Sequence, residues 1–176
     1  MGFEALPDPR VIRGYFPPGR AGTFATLQAM RSLALQGAKH PLVRGTALQI
    51  LQRSSVPERD LLGELRALFR FVQDGVRFTR DVRNVETLQT ADYTLRMRAG
   101  DCDDKAVLLA ALLLAVGHPA DLRYKVIATD PARPAEFTHV YVVADVGNGP
   151  IPLDATAHQP AGWEYGGALA AGELRI

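Results

Sequence analysis

The chain has 176 residues, of which 47% are hydrophobic and 22% charged, a balance typical of one soluble globular domain. Its net charge of +1 gives no electrostatic basis for binding nucleic acid or an anionic membrane. A single cysteine cannot form an internal disulfide, which argues against a secreted, cross-linked scaffold. The first residues also lack the basic and then apolar layout of a signal peptide, so we expect a cytoplasmic protein.

The N-terminal half predicts an extended arm followed by three helices. Residues 1–20 are rich in proline and glycine and predict the arm, which leaves residues 21–176 as a single domain. Helical spacing begins near Thr23, a candidate N-cap, and a second helix is predicted over residues 43–52. A third helix is expected after Ser55, with Pro57 near its first turn. The predicted buried faces are Phe24, Leu27, Met30, Leu33 and Ala34 in the first helix, and Leu61, Leu62, Leu65, Leu68, Phe69 and Val72 in the third.

Residues 76–93 are loop-like and charged, and predict a solvated surface of paired charges. The charged residues that indicate this surface are Arg77, Arg80, Asp81, Arg83 and Glu86. The longest apolar run, residues 106–116, follows and predicts a buried helix too short to cross a bilayer. Cys102 stands directly before this run.

The C-terminal part predicts antiparallel strands. Two strand-like stretches cover residues 122–128 and 137–144, and a hairpin at Gly147-Asn148-Gly149 leads to a strand at 151–153, just before Asp154. The tail from Pro160, with Trp163 and Tyr165, is expected to be a packing or covering segment. Helices followed by strands predict an α+β fold, in which N-terminal helices and a central buried helix pack on an antiparallel β-sheet.

Cys102, His139 and Asp154 are the candidate catalytic residues. Cysteine catalysis needs a thiol, an imidazole that takes its proton, and a polar group that orients the imidazole. Adjacent strands can supply the imidazole and the carboxylate, because they lie roughly 5 Å apart. Structural alternatives stay open: a buried thiol, a core histidine and an aspartate that starts a turn. The competing bases are His118, expected to be a cap or surface residue, His40, and the more serious alternative His158.

The residues around Cys102 are acidic. Asp101, Asp103 and Asp104 suit a helix N-terminus, where carboxylates are stabilised, but they oppose formation of a neighbouring thiolate. Arg98 and Lys105 could offset this repulsion, and a protonated His139 would do so most directly. Three carboxylates on one tight turn do not converge on a calcium ion, and one cysteine without paired histidines does not suit zinc. We therefore expect no metal and no cofactor.

Three segments together resemble the transglutaminase-like superfamily. Residues 100–106, followed by a leucine-rich helix ending at Gly117, are similar to its cysteine motif. Residues 138–142 resemble its histidine strand and residues 152–156 its aspartate motif, so that the resemblance covers about residues 60–156. Segments 25–30 and 85–90 also resemble transglutaminase-like proteins of phages and prophages.

The resemblance implies a papain-like fold and a catalytic triad of Cys102, His139 and Asp154. Such an enzyme attacks a glutamine or peptide amide of a protein substrate and forms a thioester, which an amine or water then resolves. The Cys102 amide would hold the oxyanion, with Gln89 or Tyr93 as the second donor. The alternatives are a cysteine protease or amidase with the same triad, and a non-catalytic, phage-associated assembly module.

Overall fold

The computed structural model describes residues 3–5, 11–14, 19–80 and 87–176, which form five helices and nine strands. The helices are α1 (Arg20–Gly37), α2 (Pro41–Arg53), α3 (Leu61–Gly75), α4 (Ala91–Met97) and α5 (Cys102–Ala115). The strands are β1 (Phe3–Ala5), β2 (Val11–Gly14), β3 (Arg77–Phe78), β4 (Thr87–Gln89), β5 (Ala99–Gly100), β6 (Asp121–Ala128), β7 (His139–Asp145), β8 (Pro150–Leu153) and β9 (Ala170–Arg175). None of the helices in these ranges is both long and apolar enough to span a membrane.

Helix α5 is the centre of the molecule. Every residue from Asp104 to Leu113 is buried, because α1, α2, α3, α4 and β7 all contact this helix. A helix that is apolar around its whole circumference must be enclosed in this way. Each leucine so buried contributes roughly 1.5–3 kcal/mol relative to an exposed one. The predicted central buried helix is confirmed, and it begins at Cys102 itself.

The main sheet has four antiparallel strands in the order β8-β7-β6-β9. Alternate side chains of β6 and β7, such as Tyr124 and Val142, join the core around α5. The opposite face carries a separate small cluster of Ile127, Tyr141 and Val143. An antiparallel sheet packed on helices confirms the α+β prediction, and it makes β7 and β8 direct neighbours.

Two smaller sheets each contribute one strand that contacts α5. Strands β1, β2 and β4 form an antiparallel sheet, whereas β3 and β5 form a parallel pair with Phe78 opposite Gly100. The predicted N-terminal arm therefore contains two strands, and its residues 1–2, 6–10 and 15–18 lie outside the described residues. Strands β4 and β5 both contact α5, the helix that begins at Cys102.

The first helix starts earlier than the sequence predicts. Helix α1 begins at Arg20 with Gly19 as its N-cap, so that Thr23 lies inside the first turn, where its hydroxyl donates to the Gly19 carbonyl. Gly19 has a φ of +78°, a conformation that glycine adopts without steric cost. Phe24 is 54% exposed and does not join the apolar stripe, while Leu27, Met30, Leu33 and Ala34 are buried as predicted.

The third helix starts later than predicted, and the second is slightly longer. Helix α3 begins at Leu61 because the Asp60 side chain caps it, accepting a hydrogen bond from the Gly63 amide at 2.9 Å. Pro57 lies in the turn before this cap rather than in the helix. Helix α2 extends to Pro41 because His40 is its N-cap. On α3, Leu65, Leu68, Phe69 and Val72 are buried, but Leu61 and Leu62 are only half-buried.

The segment predicted as a loop, residues 76–93, contains strands β3 and β4 and the start of helix α4. Helix α4 is short, and it forms because Ala91, Thr94 and Leu95 are buried against the surrounding elements. Arg77 and Arg80 are exposed, as predicted. Asp81, Arg83 and Glu86 lie outside the described residues.

The C-terminal tail contains a strand that the sequence did not predict. Strand β9 pairs with β6 although its segment is rich in alanine and glycine. Between β8 and β9 the tail covers the outer face of the sheet, since Glu164 accepts hydrogen bonds of 2.6 Å from both Lys125 and Tyr141. The predicted covering role is therefore confirmed, although Tyr165 remains 44% exposed.

Candidate active site

His139 and Asp154 form a direct hydrogen-bonded pair. His139 is the first residue of β7, and Asp154 directly follows β8. Because β7 and β8 pair side by side, the two side chains meet at one end of the sheet, with 2.8 Å between His139 Nε2 and Asp154 Oδ2. The sequence predicted this pairing of a strand histidine with a carboxylate beyond the hairpin.

Thr156 fixes the orientation of Asp154. Its amide and hydroxyl donate to Asp154 Oδ1 at 3.0 and 2.6 Å, and its hydroxyl lies 3.4 Å from His139 Nε2. Burial raises the pKa of Asp154, but the hydrogen bond and charge of His139 and the two Thr156 bonds outweigh it, so the net pKa is lowered. Asp154 therefore remains a carboxylate. Sequence reasoning missed Thr156, although an aspartate two residues before a threonine is a common turn pattern.

The N-terminus of α5 is built around Cys102. Asp101 is the N-cap, and its Oδ1 accepts hydrogen bonds from the amides of Asp103 and Asp104 at 3.1 and 3.3 Å. Asp104 completes a capping box by accepting from the Asp101 amide at 3.3 Å. Cys102 is thus the first helical residue, and its backbone amide is one of those at the helix start that have no acceptor within the helix.

The Cys102 sulfur lies beside the residue that follows His139. The side chain is half-buried, and the backbone N–H of Val140 donates a hydrogen bond to the sulfur. Since His139 Nε2 is bonded to Asp154, Nδ1 is the ring nitrogen left for another partner. His139 and Asp154 thus meet at one end of the sheet, and the Cys102 sulfur lies beside Val140, the residue after His139.

The surroundings of Cys102 favour the neutral thiol. Burial raises its pKa well above the usual range, and the charges of Asp103 and Asp101 raise it further, against the opposing hydrogen bond from Val140. The thiol also lies 3.5 Å from Asp103 Oδ1, to which it can donate. The predicted effect of the acidic neighbours is confirmed.

The two cations expected to offset these acids are engaged elsewhere. The Arg98 guanidinium lies 4.7 Å from the centre of the Phe71 ring. Lys105 Nζ donates to the carbonyls of Val76 at 2.8 Å and Gln73 at 3.4 Å. Neither contact directs a positive charge at the sulfur.

Lys105 also belongs to a set of hydrogen bonds, here called the bridge, that links α5 to the end of α3 and that the sequence did not predict. The side chain is only 3% exposed, and burial lowers its pKa while the charges of Asp154 and Asp74 oppose that shift. Gln73, whose carbonyl Lys105 contacts, donates through Nε2 to the carbonyls of Ala157 and Gln159 at 2.6 and 2.7 Å. The bridge therefore joins α5, the end of α3 and the loop after Asp154. A lone lysine beside the apolar stretch of α5 is the sequence signal for it.

Asp104 connects the cysteine turn to β4. It is 1% exposed, and its Oδ1 accepts a hydrogen bond from the Gln89 amide at 2.8 Å. Gly100 permits this packing, because a Cβ at that position would lie 2.6 Å from the Asp104 Cβ. Asp104 therefore positions the neighbouring strand β4 relative to the first turn of α5.

Gln89 and Tyr93 occupy different places near this turn. Gln89 is half-buried on β4, where its Oε1 accepts from the Thr94 hydroxyl at 3.1 Å. Its Nε2 has no hydrogen-bond acceptor within residues 19–80 and 87–176, so its donors are available to a bound molecule. Tyr93 is half-buried on α4. The hydrogen bond from the Gln89 amide to Asp104 places Gln89 next to the turn that carries Cys102.

The competing histidines lie at other positions. His118 is 6% exposed rather than at the surface, because its ring bonds the Leu61 carbonyl at 2.8 Å and the Ala120 amide at 3.3 Å. His40 caps α2 and lies 3.8 Å from Asp92. His158 is exposed in the loop after Asp154.

A metal does not suit the donors around the cysteine. Within the described ranges, Asp101, Cys102 and Asp103 offer ligand atoms that all lie within 4.8 Å of one another. Asp101 Oδ1 already accepts the hydrogen bonds that cap α5, from the amides of Asp103 and Asp104. That no metal binds stays a prediction.

Two solved structures share this fold. A candidate cysteine protease from Cytophaga hutchinsonii is 22% identical with a TM-score of 0.50, and the match covers 74% of this chain and 42% of that protein. A candidate protease from Parabacteroides distasonis ATCC 8503 is 14% identical with a TM-score of 0.53, covering 84% of this chain and 31% of that protein. The present chain thus spans less than half the length of either.

The sequence itself identifies the family. No curated protein matches the chain, but the sequence model of the transglutaminase-like superfamily matches residues 48–155, which is more than half of it. The matched region runs from α2 to the residue after Asp154 and includes Cys102 and His139. The chain therefore belongs to the transglutaminase-like superfamily.

Proposed function

We propose that this protein is a thiol-dependent enzyme that takes the acyl group of a glutamine or peptide amide onto Cys102 as a thioester. The observation that carries the proposal is the 2.8 Å bond between His139 and Asp154, next to a cysteine whose sulfur contacts the Val140 amide. An oriented imidazole beside a thiol is the arrangement that cysteine nucleophiles require. Membership of the superfamily and two fold relatives that are candidate cysteine or other proteases support it.

The resting nucleophile is a neutral thiol. Since burial and two aspartates raise the pKa of Cys102, His139 acts as a general base, taking the proton on Nδ1 as the sulfur attacks the carbonyl carbon. The carbonyl oxygen becomes an oxyanion, held by the Cys102 amide and by Gln89 Nε2. The C–N bond then breaks, the proton passes from His139 to the departing nitrogen, and ammonia or an amine leaves. The Asp154 carboxylate stabilises the imidazolium throughout.

The thioester is resolved by an acceptor. An amine gives transamidation, and water gives hydrolysis; in each case His139 takes a proton from the acceptor and the thiol is regenerated. Transamidation is the leading proposal. Hydrolysis is the second candidate, and the description of both fold relatives as candidate proteases favours it.

Supplying a glutamine-containing peptide together with a labelled primary amine tests the proposal. Transamidation predicts incorporation of the label with release of one ammonia per event, whereas hydrolysis predicts ammonia release without label. Both products should be absent in Cys102→Ala, with Thr23→Ala as a control variant far from the site. Turnover that persists in Cys102→Ala would contradict the proposed nucleophile. A wild-type protein without turnover on any amide, whose thiol resists alkylation even above pH 9, would instead support the assembly module.

A further inference from the structure

A groove lined by arginines lies between α2 and α3. It has a volume of about 720 Å³, and Arg53, Arg66, Arg70 and Arg98 line it, with Asp74 as its one acidic residue. The whole chain carries a net charge of only +1, so positive charge is concentrated at this groove. A concave surface with one sign of charge attracts ligands of the opposite sign.

Three arginines of the groove make no ion pair or hydrogen bond within the part of the chain that the structure describes. They are Arg53, Arg66 and Arg70, and all of them are exposed. Other exposed arginines also lack partners, so the distinguishing feature is their convergence on one concavity. By contrast, Arg123 and Arg133 each contact two carboxylates.

The lining between the arginines is apolar. Ile50, Val56 and Phe71 contribute to it, and the Arg98 guanidinium stacks 4.7 Å from the Phe71 ring centre. Arg66 and Arg70 lie one helical turn apart on α3, a spacing of roughly 5–6 Å that is close to the roughly 6.5–7 Å between alternate side chains on one face of an extended peptide. The groove thus offers guanidinium groups for carboxylates and apolar surface for neighbouring side chains.

A second, polar cavity continues from this groove. Its volume is about 490 Å³, and it shares Arg66, Arg70 and Asp74 with the first. It reaches His158 and Gln159, in the loop that follows Asp154. The positive surface therefore runs along α3 from the α2 side toward that loop, which provides length for several residues of peptide.

We propose that this groove binds an acidic peptide segment that also carries apolar side chains. Arginine pairs with carboxylates through two parallel hydrogen bonds, which favours this ligand over a neutral peptide. A single-stranded nucleic acid is disfavoured because the aromatic ring available for base stacking, Phe71, is already covered by Arg98. The proposal concerns binding and holds whether or not Cys102 is catalytic.

Binding of a fluorescein-labelled peptide of alternating glutamate and leucine, followed by fluorescence anisotropy, tests the proposal on the full chain. We expect saturable binding that weakens with salt, and a loss of about tenfold or more in affinity in the Arg66→Ala, Arg70→Ala double variant. The matched control is Arg31→Ala with Arg44→Ala, which removes two exposed helical arginines outside the groove. Alanine is a good helix former, so both double variants should keep their helices.

A double variant with Arg66→Lys and Arg70→Lys keeps the positive charge but loses the paired hydrogen bonds of the guanidinium groups. Its affinity should lie between those of the wild type and of the double alanine variant. Equal weakening in the groove and control variants would overturn the proposal, as would wild-type binding that is equal for a neutral peptide. Tighter binding of oligothymidylate, or complete competition by inorganic phosphate at concentrations equal to the peptide, would also overturn it. Performing the titrations in Cys102→Ala keeps the result independent of turnover.

Discussion

Cys102 is subject to opposing electrostatic influences. Its place at the N-terminus of α5 and the Val140 N–H favour the thiolate, whereas burial, Asp103 and Asp101 favour the thiol and prevail. The proposed mechanism therefore has His139 activate the thiol during attack, because the thiolate is not the resting form.

Replacing Asp103 by asparagine tests this balance. The change removes a charge that raises the pKa of Cys102 and a carboxylate that accepts from the thiol, so the pKa should fall. In wild type, the rate of alkylation by iodoacetamide should be low at neutral pH and rise through and above pH 9, because the thiolate is the reactive form. In Asp103→Asn the whole curve should move to lower pH, with alkylation at pH 8 several-fold faster.

The control for this measurement is Asp130→Asn, which removes an aspartate from the exposed segment between β6 and β7. An alkylation curve for Asp103→Asn that coincides with wild type, or lies at higher pH, would contradict the role assigned to Asp103. Asp101 is less suitable for the test because its side chain caps α5.

At the scale of elements, α5 and α3 are joined by the buried Lys105. Its ammonium group satisfies the Val76 and Gln73 carbonyls at the end of α3, next to the loop that carries Asp154. We expect Lys105→Met to lower the free energy of unfolding by about 1–3 kcal/mol, because the buried Val76 carbonyl and the half-buried Gln73 carbonyl lose their donor. Urea denaturation measures this, with Lys39→Met, an exposed lysine, as the control. Unchanged stability of Lys105→Met would show that the bridge contributes nothing.

The elements that the sequence predicted correctly have patterns that do not depend on distant partners. The unbroken apolar run of α5 can only be a buried helix, and the alternation in β6 and β7 fits a strand with two different faces. Strand β9 was missed because alanine and glycine have low strand propensity, and only its pairing with β6 makes it a strand. Helix α4 was missed because seven residues carry too little periodicity to outweigh their charges.

At the scale of the whole molecule, the site is assembled from elements far apart in the sequence. Cys102, His139 and Asp154 could be proposed from their motifs, since residue type and order were informative. Other contributions could not be predicted from the sequence, because each depends on a contact that no local pattern encodes. These are the bonds made by Thr156, by Gln73, and by Asp104 to Gln89. The arginine groove also could not be predicted, because a net charge of +1 does not show where in the fold the arginines come together.

Direct detection of an acyl-enzyme tests the central claim, that Cys102 attacks an amide or ester carbonyl with His139 as its base. The protein is mixed with p-nitrophenyl acetate, quenched in acid, and analysed by intact mass and peptide mapping. We predict an acetyl group on the Cys102 peptide that neutral hydroxylamine removes, formed about 100-fold or more slowly in His139→Gln. Absence of any adduct on Cys102, or equal acylation in His139→Gln, would contradict the account.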